Sequence, residues 1–427
     1  VVVLEKLPFT GGSTALSGGG ISATGTRFQE AEGIEDTKQS WMDLWVERQA
    51  VGNPDGMYPD YDRVNEFMDE AIVTTDWLVD YIGHEYGFII GFGVDPVRRL
   101  HFSKTDGTVG GGAALTANID RFLRDEGVQI LTETPARELI TDDDGNVVGV
   151  VAENSDGEMV IHAKKVILAT GGYAQSEDLL ERFIPEVAGS TELSAAAVGT
   201  TGDGIVMAEA VGAALYEEPW VIGLGIASKI DNTDSIMMDW SKVYVNSKGE
   251  RFTNEQVHYA VATNEIIDAD EPWLIFDSSE ANSELVAAVE AALPTEEAVK
   301  GGSFEELARM MGVPVGAFVG TMATFNAGVK SGDDGMGKDP EFLVAVDTAP
   351  YYALKIYPKT MGTFAGVKTD ELFRVVRDDG SVINNLYAGG EMANKVLYNR
   401  VYMSGSAVQF ALTSGRLAGK HAALNLE

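Results

Sequence analysis

The residues that could do chemistry stand at the ends of apolar runs. Val1-Val2-Val3-Leu4-Glu5 is an unbroken apolar run closed by an acid. It reads as a buried parallel strand. A carboxylate ending the second strand of a nucleotide-binding βαβ unit accepts hydrogen bonds from the two ribose hydroxyls of adenosine. Val166-Ile167-Leu168-Ala169-Thr170-Gly171-Gly172-Tyr173 is a strand running straight into paired glycines. Without a Cβ, they let the chain turn tightly and let a ligand lie against the backbone. Leu386-Tyr387-Ala388-Gly389-Gly390-Glu391 is followed by a loop and a helix that should begin near Ser406. A helix start carries unsatisfied N–H groups and partial positive charge. That charge would stabilise negative charge developing on a bound ligand, and the Glu391 carboxylate could hold ligand hydroxyls. Each signal alone is common; the three in this order are far more specific.

The elements that must position these residues are legible in outline. Gly11-Gly12-Ser13-Thr14 and Ser17-Gly18-Gly19-Gly20 follow the first strand at once. Residues 60–90 carry Trp77, Leu78, Tyr81 and Ile82 at helical spacing. Four short β-like runs follow, Val128–Leu131, Val147–Val151, Met159–Ile161 and Val166–Ala169, with turn residues between them. From 217 to about 350 the glycine clusters thin out and helical patterns occupy 279–292 and 304–330, which reads as an inserted domain. Short β-like runs with glycine clusters resume near Lys355. A last amphipathic helix runs from Ser406 to Leu424, with Val408, Ala411, Leu412 and Leu417 on its apolar stripe.

Composition removes several classes. The 427 residues hold 31 Lys+Arg against 66 Asp+Glu, a formal net charge of −35. Such a surface repels nucleic acid and anionic membranes. There is no cysteine, so disulfides, thiolate catalysis, cysteine-bound iron–sulfur clusters and thioether-linked haem are absent from this chain. No apolar run reaches the length of a membrane span, and no signal peptide is visible. Compartment is read as cytoplasmic or left unknown. The partners expected are a small-molecule substrate and an external electron donor or acceptor, and no metal site is expected.

With Thr201-Gly202-Asp203-Gly204, Arg251-Phe252-Thr253-Asn254-Glu255 and Gly415-Arg416-Leu417-Ala418-Gly419, these motifs resemble, over essentially the whole chain, the flavoprotein family of soluble fumarate reductases, urocanate reductases and 3-ketosteroid dehydrogenases. The resemblance implies FAD and an α/β fold. Its parts would be a Rossmann-like FAD-binding domain, 1–216 and 353–427, and an inserted α+β capping domain, 217–352. It implies cofactor contacts at Glu5, Gly12, Ser13, Thr14, Ser17, Gly18, Gly19, Ala136, Thr170, Gly171, Asp203, Gly390, Glu391, Ser406 and Val408. The family opens with a strand and a G-x-G-x-x-G turn. None precedes Val1, so the first strand and its glycine-rich turn are expected to be missing.

The resemblance also speaks to the substrate. Four residues after Asn254-Glu255, fumarate reductases carry a proton-delivering arginine and 3-ketosteroid dehydrogenases a tyrosine; here stands Tyr259. The histidine by which fumarate reductases grip a carboxylate has no counterpart in Gly362-Thr363-Phe364-Ala365-Gly366. Asn399-Arg400 is followed by a longer loop, in which Tyr402-Met403-Ser404-Gly405 resembles the carbonyl-holding segment of ketosteroid dehydrogenases. Tyr259, Tyr402, Ser404 and Gly405 are therefore the expected catalytic residues of an enzyme that reduces, or introduces, a C=C bond conjugated to a carbonyl. The substrate expected is an apolar enone or enoate, steroid-like or phenolic. The alternatives are a reductase of a small carboxylate and a flavoprotein without activity.

Overall fold

The computed structural model describes residues 1–104 and 110–426. The chain divides into two compact units, Val1–Ile222 with Met361–Glu427, and Gly223–Thr360. The crossings lie within the strands Trp220–Ala227 and Tyr357–Phe364, several residues beyond the expected 216/217 and 352/353. The reason is local. Glu217 accepts from the Tyr58 hydroxyl at 2.7 Å and pairs with Lys368 at 2.6 Å, and Glu218 accepts from Met57 N at 2.9 Å. These ties hold the segment before Trp220 to the first unit.

In the first unit, parallel pairing is local and short. Val2–Leu4 lies beside Gln129–Leu131, and Val166–Leu168 beside the end of the strand Val382–Ala388. Ala136–Thr141, Val147–Asn154 and Gly157–His162 form an antiparallel meander. Another small sheet joins Ile21–Ser22, Leu100–Ser103 and Tyr86–Ile90. Its Ile21 packs with Leu78 of the helix Tyr61–Asp80 and Leu115 of the helix Gly111–Asp125. Asp60 caps Tyr61–Asp80 by accepting from Asp62 N and Arg63 N.

The second unit is built on an antiparallel sheet in the order Val243–Val245, Trp273–Asp277, Tyr351–Lys355, Ala298–Gly301. Successive side chains of a strand point to opposite faces. Trp273 and Ile275 therefore pack with Phe318, Met322 and Phe325 on one face, and Leu274 and Phe276 with Leu285, Val289 and Tyr352 on the other. Burial on both faces explains why this strand reads as an unbroken apolar run. The single helical pattern expected over 304–330 is two helices, Phe304–Met311 and Val315–Ser331. Gly312 ends the first at φ 78°, the glycine stop common at helix C-termini, and Pro314, in extended conformation, is the residue from which the second starts.

Candidate functional site

Glu5 ends the strand Val2–Leu4, and its backbone continues the pairing, with Glu5 N donating to Leu131 O at 2.8 Å and Thr134 N to Glu5 O at 2.9 Å. One carboxylate oxygen accepts from Leu7 N at 2.8 Å. Ala136 follows directly on backbone tied to Glu5, as the first residue of the strand Ala136–Thr141. Next to Glu5, Lys6 pairs with Asp203 at 2.7 Å and donates to the Thr201 hydroxyl. Thr201 Oγ1 donates to the other Asp203 oxygen at 2.7 Å. Asp203, expected to face the cofactor, is thus engaged by Lys6, which no sequence motif singles out. Ser13 Oγ accepts from Ala197 N at 3.0 Å and lies 3.3 Å from Thr200 Oγ1. Residues 5–7, 13 and 197–203 form one cluster.

The glycines do two different jobs. The short helix Gly12–Leu16, with Thr14 inside it, leads to Ser17, whose hydroxyl donates to Thr14 O at 2.7 Å and accepts from Gly19 N at 3.1 Å. A Cβ on Gly112 would stand 1.7 Å from Thr14 O, and one on Gly19 2.3 Å from the backbone of Gly111 and Gly112. Here glycine serves backbone-to-backbone packing, with Gly18 O close to Gly111. Gly12 differs. It has φ 47° and nothing within 4 Å of where a Cβ would be. Gly171, at φ 77°, meets only a Thr200 methyl at 3.6 Å. These two bare, left-handed stretches of backbone in open space suit a cofactor lying against the chain.

Thr170 and Glu391 are brought together by the parallel pairing of Val166–Leu168 with Leu386–Ala388. Thr170 Oγ1 lies 3.0 Å from the sulfur of Met392. The Glu391 carboxyl accepts from Thr363 N at 2.7 Å and Thr363 Oγ1 at 3.0 Å. A Cβ on Gly172 would meet Glu391 Oε1 and Thr363 Oγ1 at 2.1 Å, so a side chain at 172 would displace this carboxyl from its place. Burial pushes the Glu391 carboxyl up to about 7, with the Thr363 N–H and hydroxyl and the Gly172 N–H pulling the other way. Near neutral pH it can both donate and accept, which suits a chain of hydroxyls. Gly390, at φ 64°, donates its N–H to Ser414 Oγ at 2.8 Å.

The helix Ser406–Leu424 begins at Gly405, which caps it at φ 76°. Gly405 O accepts from Ser22 N at 3.3 Å, and a Cβ on Gly405 would stand 3.0 Å from Gly20 O. The glycine run ending in Gly20 and the Tyr402–Gly405 loop are therefore neighbours. The buried Tyr402 hydroxyl accepts from Ala407 N at 3.4 Å. Burial raises this phenol to about 12, the N–H groups of Ala407 and Gly405 oppose the rise, and Asp95 adds to it. Ser404 lines a small recess with Ser22, Trp41, Arg48, Asp95 and Arg99, backed by the buried pairs Arg48–Asp95 at 2.5 Å and Arg99–Asp36 at 2.8 Å. Ser406 Oγ donates to Met403 O at 2.5 Å and lies 2.6 Å from the Tyr398 hydroxyl. Val408 packs on the cluster of Ile21, Leu78, Ile82 and Leu115, so its contacts are with the core.

In the second unit, Tyr259 is buried as the first residue of the helix Tyr259–Asp268. His258 caps that helix, accepting from Ala260 N at 3.3 Å, and its ring centroid is 4.0 Å from that of Tyr259. Among the described residues, no group of three or more His, Cys, Asp or Glu could hold a metal, and no helix is long and apolar enough to cross a membrane.

The FAD binding domain family matches residues 1–407. Over 431 residues the chain is 28% identical to a probable fumarate reductase of Shewanella frigidimarina, covering 99% of this chain and 70% of that protein. It is 26% identical to a 3-oxosteroid 1-dehydrogenase of Mycolicibacterium smegmatis, covering 98% of this chain and 92% of that protein. It also resembles the crystal structure of a 3-ketosteroid-Δ4-(5α)-dehydrogenase from Rhodococcus jostii, with a TM-score of 0.77 at 26% identity over 99% of this chain and 91% of that one.

Proposed function

We propose, since the chain belongs to the FAD binding domain family, that it is an oxidoreductase whose C=C substrate is an apolar enone or enoate and not a short diacid. At the coarser level, the chain is an FAD-dependent oxidoreductase of mixed α/β fold, of the kind that acts on C=C bonds. The residues that would hold the cofactor are Glu5, the open backbone at Gly12 and Gly171, and the Glu391 carboxyl. Bound FAD supplies hydride exchange at the β-carbon through N5.

In the direction of reduction, negative charge builds on the carbonyl oxygen, and a donor must meet it there. The Tyr402 hydroxyl takes that place. The N–H groups of Ala407 and Gly405 that bear on its oxygen draw electron density from the phenol and make its proton a better donor. Ser404 and Gly405 fix the loop that carries it. Tyr259 gives the proton to the α-carbon. Electrons come from an external donor, or leave to an external acceptor in the reverse direction.

The observation that carries the substrate class is Thr363. It stands in the segment where the resemblance to fumarate reductases calls for a carboxylate-gripping histidine, and both its N–H and its hydroxyl go to Glu391. That segment offers no cation to a diacid. The test is a panel of enones, enoates and fumarate with reduced methyl viologen as donor. Turnover of a cyclic or aryl enone well above that of fumarate is expected. Fumarate turnover near that of the best enone would return the chain to the small-carboxylate reading.

A further inference from the structure

We infer that Lys338 is a positioning residue for Tyr259, and that the loop it stands on is a strap fixing where the phenol sits. This rests on the proposed proton transfer by Tyr259. The segment leading into the Tyr259 helix is anchored residue by residue to the loop 334–339. Arg251 holds Glu255 with two nitrogens, Nε at 3.0 Å and Nη2 at 2.6 Å, and its third nitrogen pairs with Asp334 at 2.7 Å. Lys338 Nζ meets the same Glu255 carboxylate at 2.7 Å and also donates to Lys242 O at 2.9 Å. Gln256 and Asp339 bond in both directions, each at 2.7 Å. Asp334 closes the loop on itself, accepting from the N–H groups of Met336, Gly337 and Lys338.

The side chains of Glu255, Asp334 and Lys338 are fully buried. A buried ion-pair network adds little net stability, because desolvation offsets the attraction, but it holds one geometry. Glu255 also accepts from Tyr244 N at 2.9 Å, which ties the network to the strand Val243–Val245. A residue at the first position of a helix has its place set by the segment leading into it. Three residues separate Glu255 from Tyr259, so what holds Glu255 holds the start of the helix. A misplacement of about 1 Å at a reacting group can cost on the order of 100-fold in rate. Arg251 and Glu255 lie in a motif the sequence displays; Lys338 lies 83 positions from Glu255 and nothing in the sequence marks it.

The experiment is a double-mutant cycle in the FAD-loaded enzyme, with flavin reoxidation by the best enone as the rate. Lys338→Met should lower kcat roughly 10- to 100-fold with KM changed less than about threefold and FAD content unchanged. Lys338→Arg should recover most of that loss. In a Tyr259→Phe background, Lys338→Met should add almost nothing, because the residue it positions no longer transfers the proton. If Tyr259→Phe slows the reaction and Lys338→Met does not, or if the two losses multiply, the strap has no part in placing Tyr259 and the inference falls while the function stands. If Tyr259→Phe is itself as fast as the parent, the proposed function falls first. Should Lys338→Met fold poorly, Gln256→Ala, which removes the bonds to Asp339 and leaves the buried charges intact, must show the same loss in kcat in the parent and none in Tyr259→Phe; otherwise the inference falls.

Discussion

Tyr402 and Glu391 are ionisable groups whose surroundings set what they can do at neutral pH. The Tyr402 phenol is held protonated well above neutrality by burial, as a donor to a carbonyl must be. Tyr402→Phe should slow reoxidation of the reduced flavin by the enone roughly 10- to 1000-fold, the worth of one donor to a developing oxyanion, while the flavin spectrum of the loaded enzyme stays as it is. A rate within twofold of the parent would remove Tyr402 from the site. Glu391 titrates in the folded chain near 7, against an ordinary value of 4.5. The folded state therefore binds more protons than the unfolded state between those values, and stability falls as pH rises from about 4.5 to 7. His84 works the other way. Burial lowers its folded value to about 4 from 6.5, so its contribution is lost as pH falls through that window. Each slope is at most about 1.4 kcal/mol per pH unit. Glu391→Gln in the cofactor-free protein should gain stability over the parent as pH is raised from 5 to 7.5, read from urea midpoints. A difference that does not change with pH would mean that Glu391 ionises as it does in water.

At the scale of the element, the glycines divide by what a side chain would meet. Gly112→Ala drives a methyl into Thr14 O and forces the helix Gly111–Asp125 away from the residues around Ser17. It should destabilise by at least about 1–3 kcal/mol, the usual cost of overpacking, and lower FAD content. Gly320 sits inside the helix Val315–Ser331 with nothing within 4 Å of a Cβ, so Gly320→Ala should stabilise by roughly 0.4–1 kcal/mol. Paired urea titrations check both signs. The same contrast shows where sequence is readable. Runs such as Val166–Leu168, the turn glycines after them and the helix start at Ser406 are local, and local pattern places them. The strand Ala136–Thr141 escaped because its Arg137 and Glu138 are exposed and interrupt the apolar run. Lys6 with Asp203, Thr363 with Glu391 and Lys338 with Glu255 escaped for another reason: they meet only through tertiary packing, and neither spacing nor residue type announces them. At that helix start the Ser406 hydroxyl bonds Met403 and Tyr398 and the Val408 side chain packs on the core, contacts that no local pattern displays.

For the whole molecule, a net charge of −35 acts through self-repulsion, which compactness makes worse and salt relieves. Raising sodium chloride from about 20 mM to about 500 mM, over which the screening length shrinks several-fold, should raise Tm. A Tm that falls over that range would show that the ion pairs outweigh the repulsion. The chain order of the two units has a temporal consequence as well. The first unit is made in two instalments, and all of Gly223–Thr360 is synthesised between them. A ribosome adds roughly 5–20 residues per second, so Val166–Leu168 leaves the exit tunnel on the order of ten seconds before its parallel partner in Val382–Ala388 exists. For that interval the nascent chain carries an apolar strand with an unmatched edge, and the strand that closes it arrives, together with Glu391, only after the whole of the second unit has been made.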